Sequence, residues 1–356
     1  MSRFMSRRFA GLTAYTPGEQ PQDRSYVKLN TNESPFPPCP EVTAAAAAEA
    51  ERLHLYPDPT GHALKEKLAE YYGLEPAQVF LANGSDDILN FSFMAFCDEE
   101  RPAVFPDISY GFYPVYADLY GIPHRVIPLK EDFTIDPAEY CAAKGMIVIA
   151  NPNAPTGLTL TPAQIRQMLE SDPERVVLID EAYVDFGAES CVPLIREYPN
   201  LLVVQTFSKS RSMAGARLGY ALAQPELIED LEKIKYSTNP YSINRMTLAA
   251  GTAALEHQDY FTENCRKIGE NRARTAVQLR DMGFTLTDSL ANFLFVRPPK
   301  GSGRDYYLGL KERGVLVRYF GTERIRDYVR VTVGDAAQME TFLRETKAYL
   351  ESLPEA

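Results

Sequence analysis

Four short apolar runs in this chain are each followed at once by residues able to do chemistry. After Met146 to Ala150 comes Asn151-Pro152-Asn153-Ala154-Pro155-Thr156-Gly157, and after Arg175 to Ile179 comes Asp180-Glu181-Ala182-Tyr183. Leu201 to Gln205 leads into Thr206-Phe207-Ser208-Lys209 and then Arg217, while Val79 to Ala82 leads into Asn83-Gly84-Ser85-Asp86. A lysine amine can bond covalently to an aldehyde, and a carboxylate shielded from water can pair with a protonated ring nitrogen. An arginine beside a glycine turn that opens a helix suits a phosphate group. Singly, each residue has a plainer reading: Asp180 as a helix cap, Lys209 as a solvated amine, Asn153 and Gly84 as turn residues. Their shared placement is what needs explaining.

The runs themselves are β-branched and continuous, without the alternation of a half-exposed strand, as a sheet covered on both faces requires. Ala103 to Phe105 and Leu218 to Leu222 read as further strands, and helical segments stand between them, such as Asp87 to Phe96. The pattern predicts an α/β doubly wound, mostly parallel sheet, in which ligands bind beyond the carboxyl ends of the strands. After about Tyr236 the texture changes to long helices at Arg245 to Glu256 and Thr262 to Met282. Short strands follow at Asn292 to Val296, Val315 to Arg318 and Tyr328 to Thr332, with a closing helix from Ala337 to Leu350. That is a smaller α+β domain. The expected division is an N-terminal arm over 1–28, a large domain over 47–240, and a small domain from 29–46 with 241–356. Residues 17 to 40, rich in proline and polar residues, read as an arm laid over a surface rather than a packed element.

At 356 residues the chain is long enough for two lobes. With 37 Lys and Arg against 48 Asp and Glu it carries a net charge of −11, which argues against a nucleic-acid partner. No apolar run is long enough to span a bilayer, and the Arg-bearing start lacks the apolar core of a secretory signal, so a cytoplasmic location is expected. The five cysteines form no CxxC pair, and the four histidines form no HExxH or Cys/His cluster. No metal is expected. GxGxxG, GxxxxGK[ST] and GxSxG are all absent, which removes the nicotinamide, P-loop and α/β-hydrolase readings. What the strand-end residues suit together is pyridoxal phosphate (PLP). Lys209 would bond to its aldehyde and Asp180 would pair with its ring nitrogen. Tyr183 and Asn153 would hold its phenolate oxygen. Arg217, Ser208 and the amides after Gly84 would hold its phosphate.

The combination resembles the fold-type I PLP enzymes, and among them the family of histidinol-phosphate aminotransferases. The resemblance runs from LTAYTPGE (Leu12–Glu19) through LNTNESP (Leu29–Pro35), LYPDP (Leu55–Pro59) and ISYGFY (Ile108–Tyr113). It continues through NPNAPTG, DEAY, FSK and AGARLG (Ala214–Gly219) to VRVTVG (Val329–Gly334). It implies that Lys209 carries the cofactor, that Tyr110 stacks on its ring, and that Ser85, Asp86, Ser208 and Arg217 bind its phosphate. Tyr56 would reach the phosphate in a neighbouring subunit, making a homodimer with shared sites. Arg330 would take the substrate's anionic group, with Tyr15 and Asn32 beside it. One departure stands out: the family's asparagine directly before proline is Ala154 here, which leaves Asn153 as the substitute.

The implied reaction is transamination between an amino donor and a keto acid, with Lys209 carrying the proton. Histidinol phosphate with glutamate as partner is the expected pair. An aromatic amino acid aminotransferase and a threonine-phosphate decarboxylase are the alternatives on the same fold. Histidinol phosphate has no carboxylate whereas glutamate has two, so one place must accept phosphate or carboxylate. Arg318, twelve positions before Arg330, is the second guanidinium expected there.

Overall fold

A computed structural model describes residues 2–354, so Met1 of the expected arm and the last two residues of the expected small domain lie outside it. Seven strands form the main sheet, in the order Val79–Ala82, Gly219–Leu222, Leu201–Thr206, Val177–Asp180, Met146–Ala150, Ala103–Pro106 and His124–Ile127. Neighbours are parallel except around Gly219–Leu222, which runs against the strand on either side. The doubly wound, mostly parallel sheet is present. Successive residues of each strand enter different cores: Leu81, Ile149, Ile179 and Val203 pack on one face, and Phe80, Val148, Leu178 and Val204 on the other. With both faces dry, no strand position can be polar without cost, hence the unbroken apolar runs.

Three local expectations shift. The run read from Arg175 to Ile179 is a strand over Val177–Asp180. Arg175 instead buries its guanidinium, donating to the carbonyls of Tyr140 and Met168 at 3.3 Å and to the Ser171 hydroxyl at 2.6 Å. Asp180 is therefore the last residue of the sheet itself rather than of the turn after it. His124–Ile127 had no apolar signature because it is the edge strand, with its first three residues exposed. Val315 to Arg318 is two strands: Val315–Leu316 pairs in parallel with Val27–Lys28, and Arg318–Tyr319 joins the second sheet. The segment read as a surface arm is thus partly packed, and Leu29 is buried. Its pairing partner lies far along the chain, where local composition gives no sign of it.

The second sheet is antiparallel, in the order Arg318–Tyr319, Val329–Thr332, Phe293–Arg297, Thr285–Leu286. Helices Gln258–Asp281, Gly303–Glu312 and Ala336–Glu351 cover it, with Ile268, Tyr306 and Phe342 sharing a core with Leu294 and Val331. Helices Pro40–Ala50 and Arg245–Glu256 pack on each other. The expected boundary at 46/47 cuts the first, and the second falls in the segment assigned to the smaller domain, yet Val42, Ala250 and Ala254 share the core of the main sheet with Leu81. Among the described residues, no helix is long and apolar enough to cross a membrane.

Ile179 is fully buried one residue before Asp180. Ile179→Ala is expected to lower unfolding stability by about 2–5 kcal/mol through lost burial and a cavity. Val277→Ala, at a site 55% exposed, is expected to change it by less than about 0.5 kcal/mol. Urea unfolding of both variants checks the pair; equal midpoints would contradict the two-faced core.

Candidate active site

The carboxyl ends of Val79–Ala82, Met146–Ala150, Val177–Asp180 and Leu201–Thr206 meet along one edge of the sheet. Because Gly219–Leu222 runs backwards, the residues ahead of it, including Arg217, arrive at the same edge; Gly219 is in register with both Ala82 and Thr206. A cleft of about 540 Å³ opens there, lined by Asp180, Lys209, Arg217, Ser85 and Ser208 among others. A second cleft of about 660 Å³ joins it through Tyr110, Ala154, Tyr183 and Lys209 and reaches Tyr15, Asn32, Arg318 and Arg330. A groove of about 930 Å³ between helices Gln258–Asp281 and Ala336–Glu351 is larger. It is lined by side chains of those helices and their ends, with no strand end and no buried acid, so its size carries no chemistry.

Asp180 lies at the floor, 5% exposed. Its Oδ2 accepts a hydrogen bond from the Tyr113 hydroxyl at 3.0 Å and its Oδ1 one from the Ala182 amide at 3.2 Å. Among the described residues no cation pairs with it. Burial therefore pushes its pKa up to about 6, against the lowering pull of the Tyr113 and Ala182 hydrogen bonds and with the help of the Asp86 and Glu181 charges.

The opposite end of the inner cleft is built for an anion. Gly84 adopts φ 88° ahead of helix Ser85–Phe96, and a Cβ on it would stand 2.7 Å from Arg217 Nη2. A Cβ on Gly219 would lie 2.4 Å from the Ser85 amide nitrogen. The two glycines let strand, helix start and guanidinium close on one spot. Arg217 Nη1 reaches Ser208 Oγ at 3.4 Å. Asp86 has a different part from the one the resemblance implied. Its carboxylate accepts from the Tyr110 hydroxyl at 2.7 Å and from Arg217 Nη2 at 3.2 Å. A carboxylate has no proton to donate to phosphate oxygens, so the Asp86 side chain orients Tyr110 and Arg217, and only its helix-start amide is left for a phosphate.

Lys209 Nζ stands between the two clefts, donating to the Thr31 carbonyl at 3.4 Å. The Tyr183 hydroxyl accepts from Asn32 Nδ2 at 3.0 Å, and Asn32 is itself locked by Thr332 Oγ1 at 3.0 Å. Asn153 does not face the cleft. Its amide donates to the Ile108 carbonyl at 3.0 Å and to Thr156 Oγ1 at 3.1 Å, and its oxygen accepts from Ser109 at 2.8 Å. Those bonds use its polar atoms within the turn, and Ala154 lines the cleft in its place.

The outer cleft has an unusual pair. Arg318 and Arg330 are directly opposite each other on neighbouring antiparallel strands, where like charges repel. Arg330 makes one hydrogen bond, to the Asn30 carbonyl at 3.1 Å, and its buried Nε has no partner. Burial lowers its pKa, with the Arg318 charge pushing the same way against nearby phenols. Arg318 is engaged differently: it donates to the carbonyls of Thr16 and Pro17 at 3.1 and 3.2 Å, tying down the arm that carries Tyr15. The Tyr15 ring rests on Phe112 at 4.2 Å.

The profile of the family described as aminotransferase class I and II matches residues 24–345. The chain belongs to this family. It is 50% identical over 344 residues to a histidinol-phosphate aminotransferase from a Marinomonas species, covering 95% of this chain and 97% of that one. It is 45% identical to the Clostridium acetobutylicum protein of the same name, over 98% of this chain and 99% of the other. Among solved structures, the histidinol-phosphate aminotransferase of Sinorhizobium meliloti, in complex with pyridoxal-5′-phosphate, superposes with a TM-score of 0.88 at 25% identity. That match covers 99% of both chains.

As an aminotransferase-family site, the inner cleft fits pyridoxal phosphate by its own donor set. A buried carboxylate without a counter-ion suits a ring nitrogen cation, a lysine amine suits the aldehyde, and the helix start with Arg217 suits the phosphate. Tyr56 is not part of this cleft. It is 79% exposed and stacks on Tyr241 at 4.6 Å between ring centroids. The residue that the sequence reading missed is Tyr113. It follows Tyr110 by three positions at the start of helix Phe112–Tyr120, on the same side of the turn, and that spacing was the available signal.

Asp180 also sets a pH dependence in the cofactor-free protein. Its folded pKa of about 6 lies above its ordinary 3.8, so the folded state holds the proton more tightly. Stability is full below the unfolded value and is lost as pH rises through about 6, by a total of about 3 kcal/mol. Asp180→Asn abolishes that loss. Cofactor-free Asp180→Asn is therefore expected to melt a few degrees above the unaltered protein at pH 8 and by about half that margin at pH 5. Thermal melts at both pH values test this; a pH-independent difference would mean the carboxylate is not strained there.

Proposed function

We propose that the chain is a PLP-dependent aminotransferase that exchanges the amino group of histidinol phosphate for the carbonyl oxygen of 2-oxoglutarate, as in histidine biosynthesis. The observation that carries this reading is the Arg318–Arg330 pair facing the same cleft as Lys209, with no carboxylate among the described residues held against either guanidinium. The activity named for relatives at 45–50% identity over nearly the whole chain supports the choice of donor.

Bound in the inner cleft, PLP supplies a carbonyl carbon for the amino group and a ring that delocalises the electron pair left when a proton departs. The chain's residues do the rest. Asp180 holds a proton on the ring nitrogen, and Tyr183, steadied by Asn32, donates toward the ring oxygen. Tyr110, fixed through its hydroxyl by Asp86, covers one ring face. Ser85, Ser208, Arg217 and the helix-start amides hold the phosphate. Lys209 Nζ would take the proton from the donor carbon that bears the amine and deliver it to the cofactor's former carbonyl carbon, on the other side of that nitrogen. Arg330, desolvated and with a free Nε–H, anchors the anion: phosphate of the donor, then carboxylate of the acceptor. The arm carrying Tyr15 narrows the mouth. The exposed Leu53, Leu55 and Tyr56, with the exposed Tyr241 stacked on Tyr56, support a homodimer in which Tyr56 serves the partner's cofactor.

Lys209→Ala is expected to abolish turnover with an unchanged far-ultraviolet dichroism spectrum. Arg330→Lys is expected to slow both half-reactions by about 10² in kcat/KM, since charge remains but the two-pronged geometry is lost. Single-turnover formation of the keto product from histidinol phosphate, glutamate, phenylalanine and threonine phosphate is the decisive comparison. Reaction with phenylalanine and none with histidinol phosphate would replace the substrate assignment, and carbon dioxide from threonine phosphate would replace the reaction. Tyr56→Phe is expected to weaken PLP retention by about 1–2 kcal/mol in a dimer. Equilibrium dialysis with sedimentation checks it, and a monomer with unaltered retention would refute the shared site.

A further inference from the structure

Tyr113 has no place in the chemistry above, yet it is completely buried and aims its hydroxyl at the floor of the cofactor cleft. Its ring is held on two sides, tilted against Phe105 at 6.0 Å and edge-on to Tyr110 at 5.7 Å. Its amide bonds back to the Tyr110 carbonyl at 3.3 Å, so both tyrosines are presented from one turn. The rotamer is fixed by packing, and the hydroxyl has a single acceptor, Asp180 Oδ2 at 3.0 Å. Burial and the neighbouring Asp180 charge raise the phenol's own pKa far above its usual value. Its proton therefore stays on the phenol, and the group is a permanent donor.

We infer that Tyr113 is a positioning residue for the transamination, a buried donor that keeps Asp180 ionised and oriented so that the carboxylate can hold a proton on the cofactor's ring nitrogen. This rests on the proposed function. The other groups facing Asp180 make the donor necessary. Asp86 from helix Ser85–Phe96 and Glu181 from the turn after the strand both push the carboxyl towards its neutral form. Tyr116, on the same helix as Tyr113, gives its hydroxyl to the Asp86 carbonyl at 3.1 Å and not to Asp180. Tyr110 gives its own to the Asp86 carboxylate. Lys209 and Arg217 line the cleft but make no ion pair with Asp180. Among the described residues only the Ala182 amide and Tyr113 donate to it. Of these two, Tyr113 alone can be removed by mutation.

Tyr113→Phe deletes one oxygen and leaves the ring packing. Infrared titration of the cofactor-free protein, with the Asp180 band assigned by its loss in Asp180→Asn, is expected to show the carboxyl pKa rising by about one unit or more. Tyr113→3-fluorotyrosine, a stronger donor of nearly the same size, is expected to move it down, and it keeps the test open should Tyr113→Phe fold poorly. In the PLP-loaded enzyme, the acid limb of the kcat profile is expected to move in the same directions with KM little changed. An unmoved carboxyl pKa, or an activity loss uniform across pH, would overturn the inference. Failure of the proposed function looks different: the unaltered holoenzyme would then give no keto product from histidinol phosphate, whatever the carboxyl pKa does in Tyr113→Phe.

Discussion

A carboxylate held out of water without a cation is costly in any fold, and Asp180 sits where both faces of a seven-stranded sheet are dry. The adjoining Glu181 resolves the same problem internally. It accepts from Ser190 at 2.6 Å, the Cys191 amide at 2.7 Å and Gln205 at 2.8 Å, and Gln205 in turn accepts from Tyr72 and Tyr220. Two neighbouring acids, both buried, thus have opposite roles. Glu181 is satisfied by the chain and ties the DEAY turn to the sheet. Asp180 is only partly satisfied and keeps its remaining acceptor capacity for what enters the cleft. Two features of the cleft bear on that one charge: the Tyr113 hydroxyl from the Ile108–Tyr113 turn, and Arg217 at the other end.

The reversed strand is the second organising device. Had Gly219–Leu222 run parallel, Arg217 would have left the sheet at the far edge, beyond reach of the helix start at Ser85. Reversal brings it home, and two glycines remove the side chains that would otherwise separate strand, helix and guanidinium. The chain's net charge of −11 is no obstacle to anionic ligands, because local guanidinium groups and amide dipoles set the field inside a desolvated cleft.

The mouth of the site is assembled from segments far apart in sequence. Arg318 and Arg330 face the cleft from the smaller sheet, Asn32 fixes Tyr183 from the segment after the short Val27–Lys28 strand, and Tyr15 arrives on an arm tied by Arg318. Glu19 adds a second tie, bonded to Tyr307 and Lys311. Arm and smaller sheet are therefore tied together through Arg318, beside the Arg330 proposed above to hold the substrate anion.

The sequence alone determined the sheet class and the strand-end positions of Asp180, Lys209 and Gly84, because a sheet buried on both faces leaves unbroken apolar runs whose ends can be read directly. Arg217 was legible too, as part of AGARLG, though not the direction of the strand after it. What local pattern could not carry was decided by tertiary structure. Asn153 was plausible as a cofactor contact by type and place, but its hydrogen bonds close on Ile108, Ser109 and Thr156. Asp86 was read as a phosphate ligand without distinction between amide and side chain, and its carboxylate lies between Tyr110 and Arg217. The edge strand His124–Ile127 and the Val27–Lys28 pairing left no periodic trace, the first because it is exposed, the second because its partner is remote. Tyr113 was one aromatic among many. A side chain's partners depend on which surfaces fold together, and hydrogen-bond geometry exists only after they have.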